Sequence, residues 1–162
     1  MEKSVKPEYL KLVLCIFLCL SAGFIGSFFT APAIPGWYAS LVKPAFNPPS
    51  FVFAPVWTIL YILMGISLWM IIREGMDNPK VRTAVILFGV QFLLNIIWSP
   101  VFFGLKAPSA AFLIIFVLWW AILANMISFY KIKKQAGLIL LPYLLWVSFA
   151  SILNYAIWRL NG

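Results

Sequence analysis

Five long apolar runs, separated by short polar intervals, fill most of the chain: roughly Leu12–Phe29, Phe51–Ile72, Thr83–Leu105, Ser109–Tyr130 and Gln135–Trp158. None contains an Asp, Glu, His, Lys or Arg. Each is long enough for an α-helix to cross a bilayer, which takes about 17–25 apolar residues. Period-two alternation is absent, which argues against a membrane β-barrel. In hydrocarbon a chain must pair its own backbone N–H and C=O groups, so the runs are predicted to be helices. The expected fold is an all-α membrane protein, a five-transmembrane-helix bundle. It forms a single domain over 1–162 with helices at about 8–29, 51–73, 81–104, 108–130 and 135–159.

The polar positions inside the runs are neutral, and three of the runs carry them as stripes. Trp57, Tyr61 and Gly65 recur at i, i+4, i+8 in the second run, with Gly65 leaving a hole. Gln91, Asn95 and Ser99 do the same in the third, with Trp98 beside them, and Trp146, Ala150, Asn154 and Trp158 in the fifth. Such spacing puts each set on one helix face. Counted from the helix ends at 1.5 Å per residue, all three stripes reach the same half of the bilayer. Two readings stand side by side. Polar and aromatic stripes hold membrane helices together, or they wall a cavity for a flat, mostly apolar ligand. In the fourth run Asn125 and Ser128 read as packing groups, while Trp119 and Trp120 point to different faces, so one of them meets lipid or a partner chain. Ala22 and Gly26 form a small-residue packing pair in the first run. Pro100 and Pro142 each lack an N–H, so a kink or an open carbonyl is expected one turn before them.

Between the first two runs, residues 30–50 form the longest connection, with Pro32, Pro35, Pro44, Pro48 and Pro49. It reads as a stiff loop holding Trp37 and Tyr38, either as a lid over a site or as part of an interfacial aromatic belt. Ala31-Pro32-Ala33 resembles a signal-peptide cleavage site, but the preceding apolar run exceeds the usual ~7–15 residues, so the first run is read as a span.

Composition sharpens the class. The chain is 64% hydrophobic, with a mean hydropathy of +1.02. The formal net charge of +8 follows topology rather than a nucleic-acid face. Lys3, Lys6, Lys11, Arg73, Lys80, Arg82, Lys131, Lys133 and Lys134 fall on one side; Lys43, Lys106 and Arg159 fall on the other. This bias places the N-terminus in the cytoplasm and the C-terminus outside, most simply in a bacterial inner membrane, with the basic side against lipid headgroups. No nucleic-acid partner is expected. Without an intramembrane charge, ion-coupled transport lacks its usual coupling group. Cys15 and Cys19, four apart on one helix, read as small packing residues. With no His in the chain, no metal site is expected.

Particular motifs then carry a resemblance. The segment Trp37-Tyr38, Leu41, Lys43-Pro44, Asn47-Pro48-Pro49, Phe53, Pro55 and Trp57-Thr58-Ile59-Leu60-Tyr61 is followed by Gln91, Asn95, Trp98-Ser99-Pro100 and Phe102-Phe103-Gly104. Leu141-Pro142-Tyr143-Leu144-Leu145-Trp146, Phe149-Ala150, Leu153-Asn154-Tyr155 and Trp158-Arg159 complete the set. On these motifs the chain resembles the translocator protein family, also called tryptophan-rich sensory proteins or peripheral benzodiazepine receptors. The match runs from about Gly36 to Arg159. Phe46 and Phe51 stand where the family often has Trp, and the stretch Ala107–Ala111 stands where animal members carry a Trp.

The resemblance implies a five-helix bundle, commonly a homodimer, with a pocket opening toward the first loop. The family's small-residue dimer seam is only partly present, as Ala84 and Gly89. Implied ligands are porphyrins such as protoporphyrin IX, sterols and benzodiazepine-type drugs, with no obligate cofactor. The matching pocket positions are Trp37, Tyr38, Trp57, Tyr61, Asn95, Trp98, Trp146 and Ala150; the stripe adds Asn154. Leu153, Tyr155 and Arg159 fit a sterol-recognition pattern or an interfacial anchor. The leading expectation is a membrane protein that binds a tetrapyrrole for sensing, buffering or transport. Trp57, Trp98 and Trp146 would stack on it, Asn95 and Asn154 would hydrogen-bond it, and Lys43 would pair a propionate. Lacking His, it should favour metal-free porphyrin over haem. One alternative is a light- or redox-dependent porphyrin-degrading enzyme, with Trp57 and Trp146 reactive, since no catalytic acid–base pair or nucleophile is present. Another is a regulatory membrane scaffold without an obligate ligand.

Overall fold

The computed structural model describes residues 5–162, with side chains described from Glu8 onward. Lys3, assigned above to the basic side, lies outside the described residues, as does the side chain of Lys6. Among the described residues, five helices are long and apolar enough to cross a membrane.

The first span is α1 (Val5–Ala33), continued by a π-helical turn at Ile34–Tyr38. An irregular strap over 41–49 and a 3-10 turn at Ser50–Val52 lead into α2 (Phe53–Ile72). Next comes α3 (Pro79–Ser99), continued by a second π-helical turn at Pro100–Gly104, and then α4 (Pro108–Ile132). The last span has two pieces, α5 (Lys134–Ile139) and α6 (Leu141–Asn161).

The first span therefore runs well past the expected end at Phe29, and Trp37 and Tyr38 sit on helix rather than loop. Pro32 and Pro35 lack donors, and their rings crowd the carbonyl four residues back. A wider π-helical turn admits such a defect without ending the helix, and ending it in lipid would strand more backbone groups. The defect expected at Pro100 takes the same form, with Leu105 N–H donating to Pro100 O at 2.9 Å. At Pro142 the span breaks instead: Leu140 N–H donates to Gly137 O at 3.1 Å, and Leu144 N–H donates to Leu140 O at 3.0 Å. The start of α3 is set by Asn78, whose side chain accepts from Lys80 N–H at 3.0 Å, with Pro79 at the first helical position.

The helices form a ring. α1 lies against α2 and α3, and α4 lies against α3, α5 and α6. α2 closes the ring on α5 but barely touches α6. At Gly65 the α1 and α2 backbones meet: a Cβ there would stand 2.6 Å from Ile16 Cα and 2.9 Å from the Cys15 carbonyl oxygen. The gap expected at Gly65 is thus filled by α1, because two helices can cross this closely only where one has no side chain. Cys15 and Cys19, both buried and free, pack on this side of α1. The bundle is pinched along Gly65 and α5 and splays toward the strap.

Polar contacts tie both ends. At the pinched end Arg73 Nε reaches Glu8 at 2.9 Å and Lys133 Nζ reaches Glu74 at 2.8 Å, exposed pairs worth about 0–1 kcal/mol each. At the other end the Asn161 amide accepts from Val42 N–H and donates to Val42 O, each at 2.9 Å. This clips the strap to α6. Trp120 is 55% exposed on the lipid-facing surface, whereas Trp119 turns inward and donates to Ser148 Oγ at 2.7 Å.

Gly65→Ala should lower stability by about 1–3 kcal/mol, since the new Cβ meets backbone that cannot step aside. Gly89→Ala, with nothing within 4 Å of its Cβ among the described residues, should leave the detergent-solubilised unfolding midpoint unchanged or slightly raised.

Candidate functional site

The splay leaves a cavity of about 480 Å³ between α1, α2, α3, α4 and α6. That falls within the ~300–1,000 Å³ typical of small-molecule sites. Of the nine positions expected to bind ligand, eight line it: Tyr38, Trp57, Tyr61, Asn95, Trp98, Trp146, Ala150 and Asn154. Trp37 does not. Its ring lies behind the wall, edge-on to Phe102 at 5.7 Å and Phe103 at 6.5 Å. The lining carries no acidic, basic or imidazole side chain.

The walls are braced by hydrogen bonds that the stripes left open. Tyr61 O–H donates to Asn95 Oδ1 at 2.8 Å, and Asn95 Nδ2 donates to the Tyr143 hydroxyl at 2.9 Å. Tyr143 O–H in turn donates to Gln91 Oε1 at 2.9 Å. This buried chain joins α2, α3 and α6. Trp57 stacks on Tyr61 at 5.5 Å and meets Tyr143 edge-on at 6.3 Å, so the chain also sets the Trp57 ring. Trp98 Nε1 donates to Asn154 Oδ1 at 3.1 Å, and Asn154 Nδ2 donates to Pro108 O at 2.8 Å. Asn95 and Asn154 are thus engaged with the protein and act by positioning tyrosines and tryptophans.

Lys43 is likewise engaged. Its Nζ donates to the carbonyls of Ala39 at 3.2 Å and Leu41 at 3.0 Å, and stands 5.0 Å from the centre of the Tyr38 ring. The expected propionate partner is tied into the strap. Beneath it Tyr38 O–H donates to Asn47 Oδ1 at 2.9 Å.

Trp146 differs. It lines the cavity, with Phe53 edge-on at 6.1 Å and Phe149 at 5.4 Å. Its buried Nε1 has no hydrogen-bond partner among the described residues. A buried donor left unpaired costs about 1–3 kcal/mol.

The sterol pattern is divided. Leu153 lines the cavity, while Tyr155 is 46% exposed against Phe112 and Trp158, and Arg159 is exposed. Residues two apart on a helix point to different sides, so the three do not form one surface.

Sequence reasoning missed the α1 wall. Gly23, Gly26, Ser27 and Thr30 line the cavity, and their i, i+3, i+4, i+7 spacing was a stripe of small residues visible in the chain. Small side chains leave the space, and α2 fills part of it: a Cβ at Gly23 would meet the Tyr61 ring at 2.8 Å. Higher up, exposed Phe24, Ser27, Ala31, Ala54 and Thr58 also line the cavity, so it opens sideways between α1 and α2.

Comparison with known proteins agrees in extent. The TspO/MBR family model matches residues 15–159. The chain is 47% identical over 157 residues to the tryptophan-rich protein TspO of Chlorobaculum tepidum, covering 97% of this chain and 99% of that one. It is 45% identical over 153 residues to the tryptophan-rich protein TspO of Archaeoglobus fulgidus, covering 94% and 98%. It is 35% identical over 139 residues to the human translocator protein, covering 85% and 82%.

Tyr143→Phe should destabilise the protein by about 1–3 kcal/mol, because Asn95 Nδ2 and Gln91 Oε1 lose their common partner in a dry interior. Chemical unfolding should show that loss, and collisional quenching should show Trp57 more accessible than in the parent.

Proposed function

Since the chain belongs to the TspO/MBR family, we propose that this multi-pass integral membrane protein holds a porphyrin or a similarly flat, largely apolar molecule in the cavity, for sensing, buffering or transport. The observation that carries the reading is a cavity of this size walled by the rings of Trp57, Trp98, Phe102 and Trp146 and by neutral polar groups, with no charged side chain in its lining. The rings of Trp57, Trp98 and Phe102 offer stacking surface, worth about 0.5–1.5 kcal/mol per well-placed pair beyond area burial. Trp146 offers one directed donor to an oxygen or nitrogen acceptor. With the amides of Asn95 and Asn154 already engaged, the ligand's polar contacts fall to the lining hydroxyls and to Trp146 once its ring turns to present Nε1.

The charge bias supports a bundle whose pinched, basic end faces the cytoplasm of a bacterial inner membrane, with the strap outside. The sideways opening between α1 and α2 supports a ligand that partitions into the bilayer. An iron porphyrin would lack its commonest protein ligand here.

Titrating the detergent-solubilised protein with protoporphyrin IX should quench tryptophan fluorescence saturably. Trp146→Phe should weaken the affinity about five- to tenfold, the worth of one hydrogen bond made in a dry site. Equal affinities in wild type, Trp146→Phe and Trp57→Ala would move the ligand elsewhere. Haem should bind no more tightly than protoporphyrin IX; a tenfold preference for haem would refute the reading.

A further inference from the structure

Hydroxyl groups on membrane helices usually donate back to a carbonyl of their own helix. Ser21, Ser27, Thr58, Ser148 and Ser151 all do so here. Thr30 and Ser99 do not. They meet across α1 and α3 at 2.8 Å, and Ser99 Oγ also lies 3.2 Å from the Gly26 carbonyl oxygen. A Cβ at Gly26 would sit in ordinary contact with Ser99 Oγ at 3.4 Å. All three residues line the cavity.

Each hydroxyl has one proton. Both protons are used only if Ser99 donates to Gly26 O and Thr30 donates to Ser99 Oγ. The reverse order leaves the Thr30 proton without a partner in a largely apolar wall, which is unfavourable. In the satisfied arrangement the pair has no proton left to give, and the Thr30 oxygen keeps lone pairs free to accept. Trp146 can only donate, and it stands on α6, across the ring from α1. Trp146 and this pair thus have opposite sense; the Ser27 and Thr58 hydroxyls, which also line the cavity, sit at its exposed sideways opening and already donate to their own helices.

We infer that the Thr30–Ser99 pair is a second ligand subsite, one that accepts a hydrogen bond from a neutral hydroxyl or ring N–H and turns away a carboxylate. It rests on the cavity being a ligand site as proposed above, and it fixes which end of the ligand faces α1. A flat molecule with a donor at one end and an acceptor at the other meets both sites at once. A bare carboxylate at Thr30 would set lone pair against lone pair with no cation in the lining to offset it, Lys43 being tied to the carbonyls of Ala39 and Leu41.

The test uses cholesterol and cholesteryl methyl ether, which share a ring system and differ by one donor. Each is titrated into detergent-solubilised protein to displace protoporphyrin IX, in wild type, Thr30→Val and Thr30→Ser. Cholesterol should compete about five- to tenfold better than its ether in wild type, the worth of one neutral hydrogen bond. Thr30→Val should erase that difference and leave the ether unchanged. Thr30→Ser, which keeps the hydroxyl, should restore it. Equal competition by the two sterols in wild type, equal loss of both in Thr30→Val, or no competition by either would overturn the subsite. Direct binding of protoporphyrin IX is read in the same samples; if it fails in wild type, the cavity assignment falls first.

Discussion

The hydrogen-bonded chain Tyr61–Asn95–Tyr143–Gln91 is the constraint from which the rest of the bundle follows. In hydrocarbon an amide or hydroxyl without a partner is expensive. Three helices must therefore bring these four side chains within about 3 Å of one another. Tyr61 sits on α2, Asn95 and Gln91 on α3, and Tyr143 on α6. Making these three bonds sets the rotation and depth of each helix together, with Gln91 Nε2 alone of these four side chains' polar atoms left unpartnered among the described residues. Apolar packing alone would tolerate slippage, because lipid competes with side chains for apolar contact.

Once those helices are set, the cavity is a consequence of where the backbone can and cannot close. Gly65 lets α1 and α2 touch at one level, and α5 draws α2 in near the same end. α2 barely touches α6, and aromatic pairs such as Phe53 with Trp146 and Trp57 with Tyr143 reach between them. Prolines 32, 35 and 100 do not end their spans. They widen them into π-helical turns, which carry Tyr38, Phe102 and Phe103 to the cavity wall. The strap above is held by its own bonds, Tyr38 to Asn47 and Asn161 to Val42.

Function then resides in what the fold leaves unused. Most polar groups facing the cavity already have partners: Tyr61, Asn95, Asn154 and Trp98 bond to one another or to neighbouring elements. What remains is the unpaired N–H of Trp146 and the acceptor oxygens of hydroxyls such as Thr30, Ser27 and Thr58. Under the proposed function such a site would discriminate by shape and by neutral hydrogen bonds, since no charged side chain lies in the lining.

The five spans were legible in the chain because the length of an apolar run is a local property, and the bilayer thickness converts it directly into a helix. The faces of α2, α3 and α6 that line the cavity were legible too, since a helix puts i, i+4 and i+8 on one side whatever surrounds it. The pairings were not. Periodicity says which way Asn95 points but not that Tyr61 and Tyr143 will occupy it, nor that Gly65 would be met by the α1 backbone instead of left open. The small-residue face of α1 was written at Gly23, Gly26, Ser27 and Thr30, yet small residues serve close packing and open space alike. Which of the two they serve depends on the distance to the facing helix, and that distance is a property of the assembled bundle. The same holds for the hydrogen bonds: every amide and hydroxyl here has several possible partners, and only the packed arrangement decided that Asn95 is occupied and Trp146 is not.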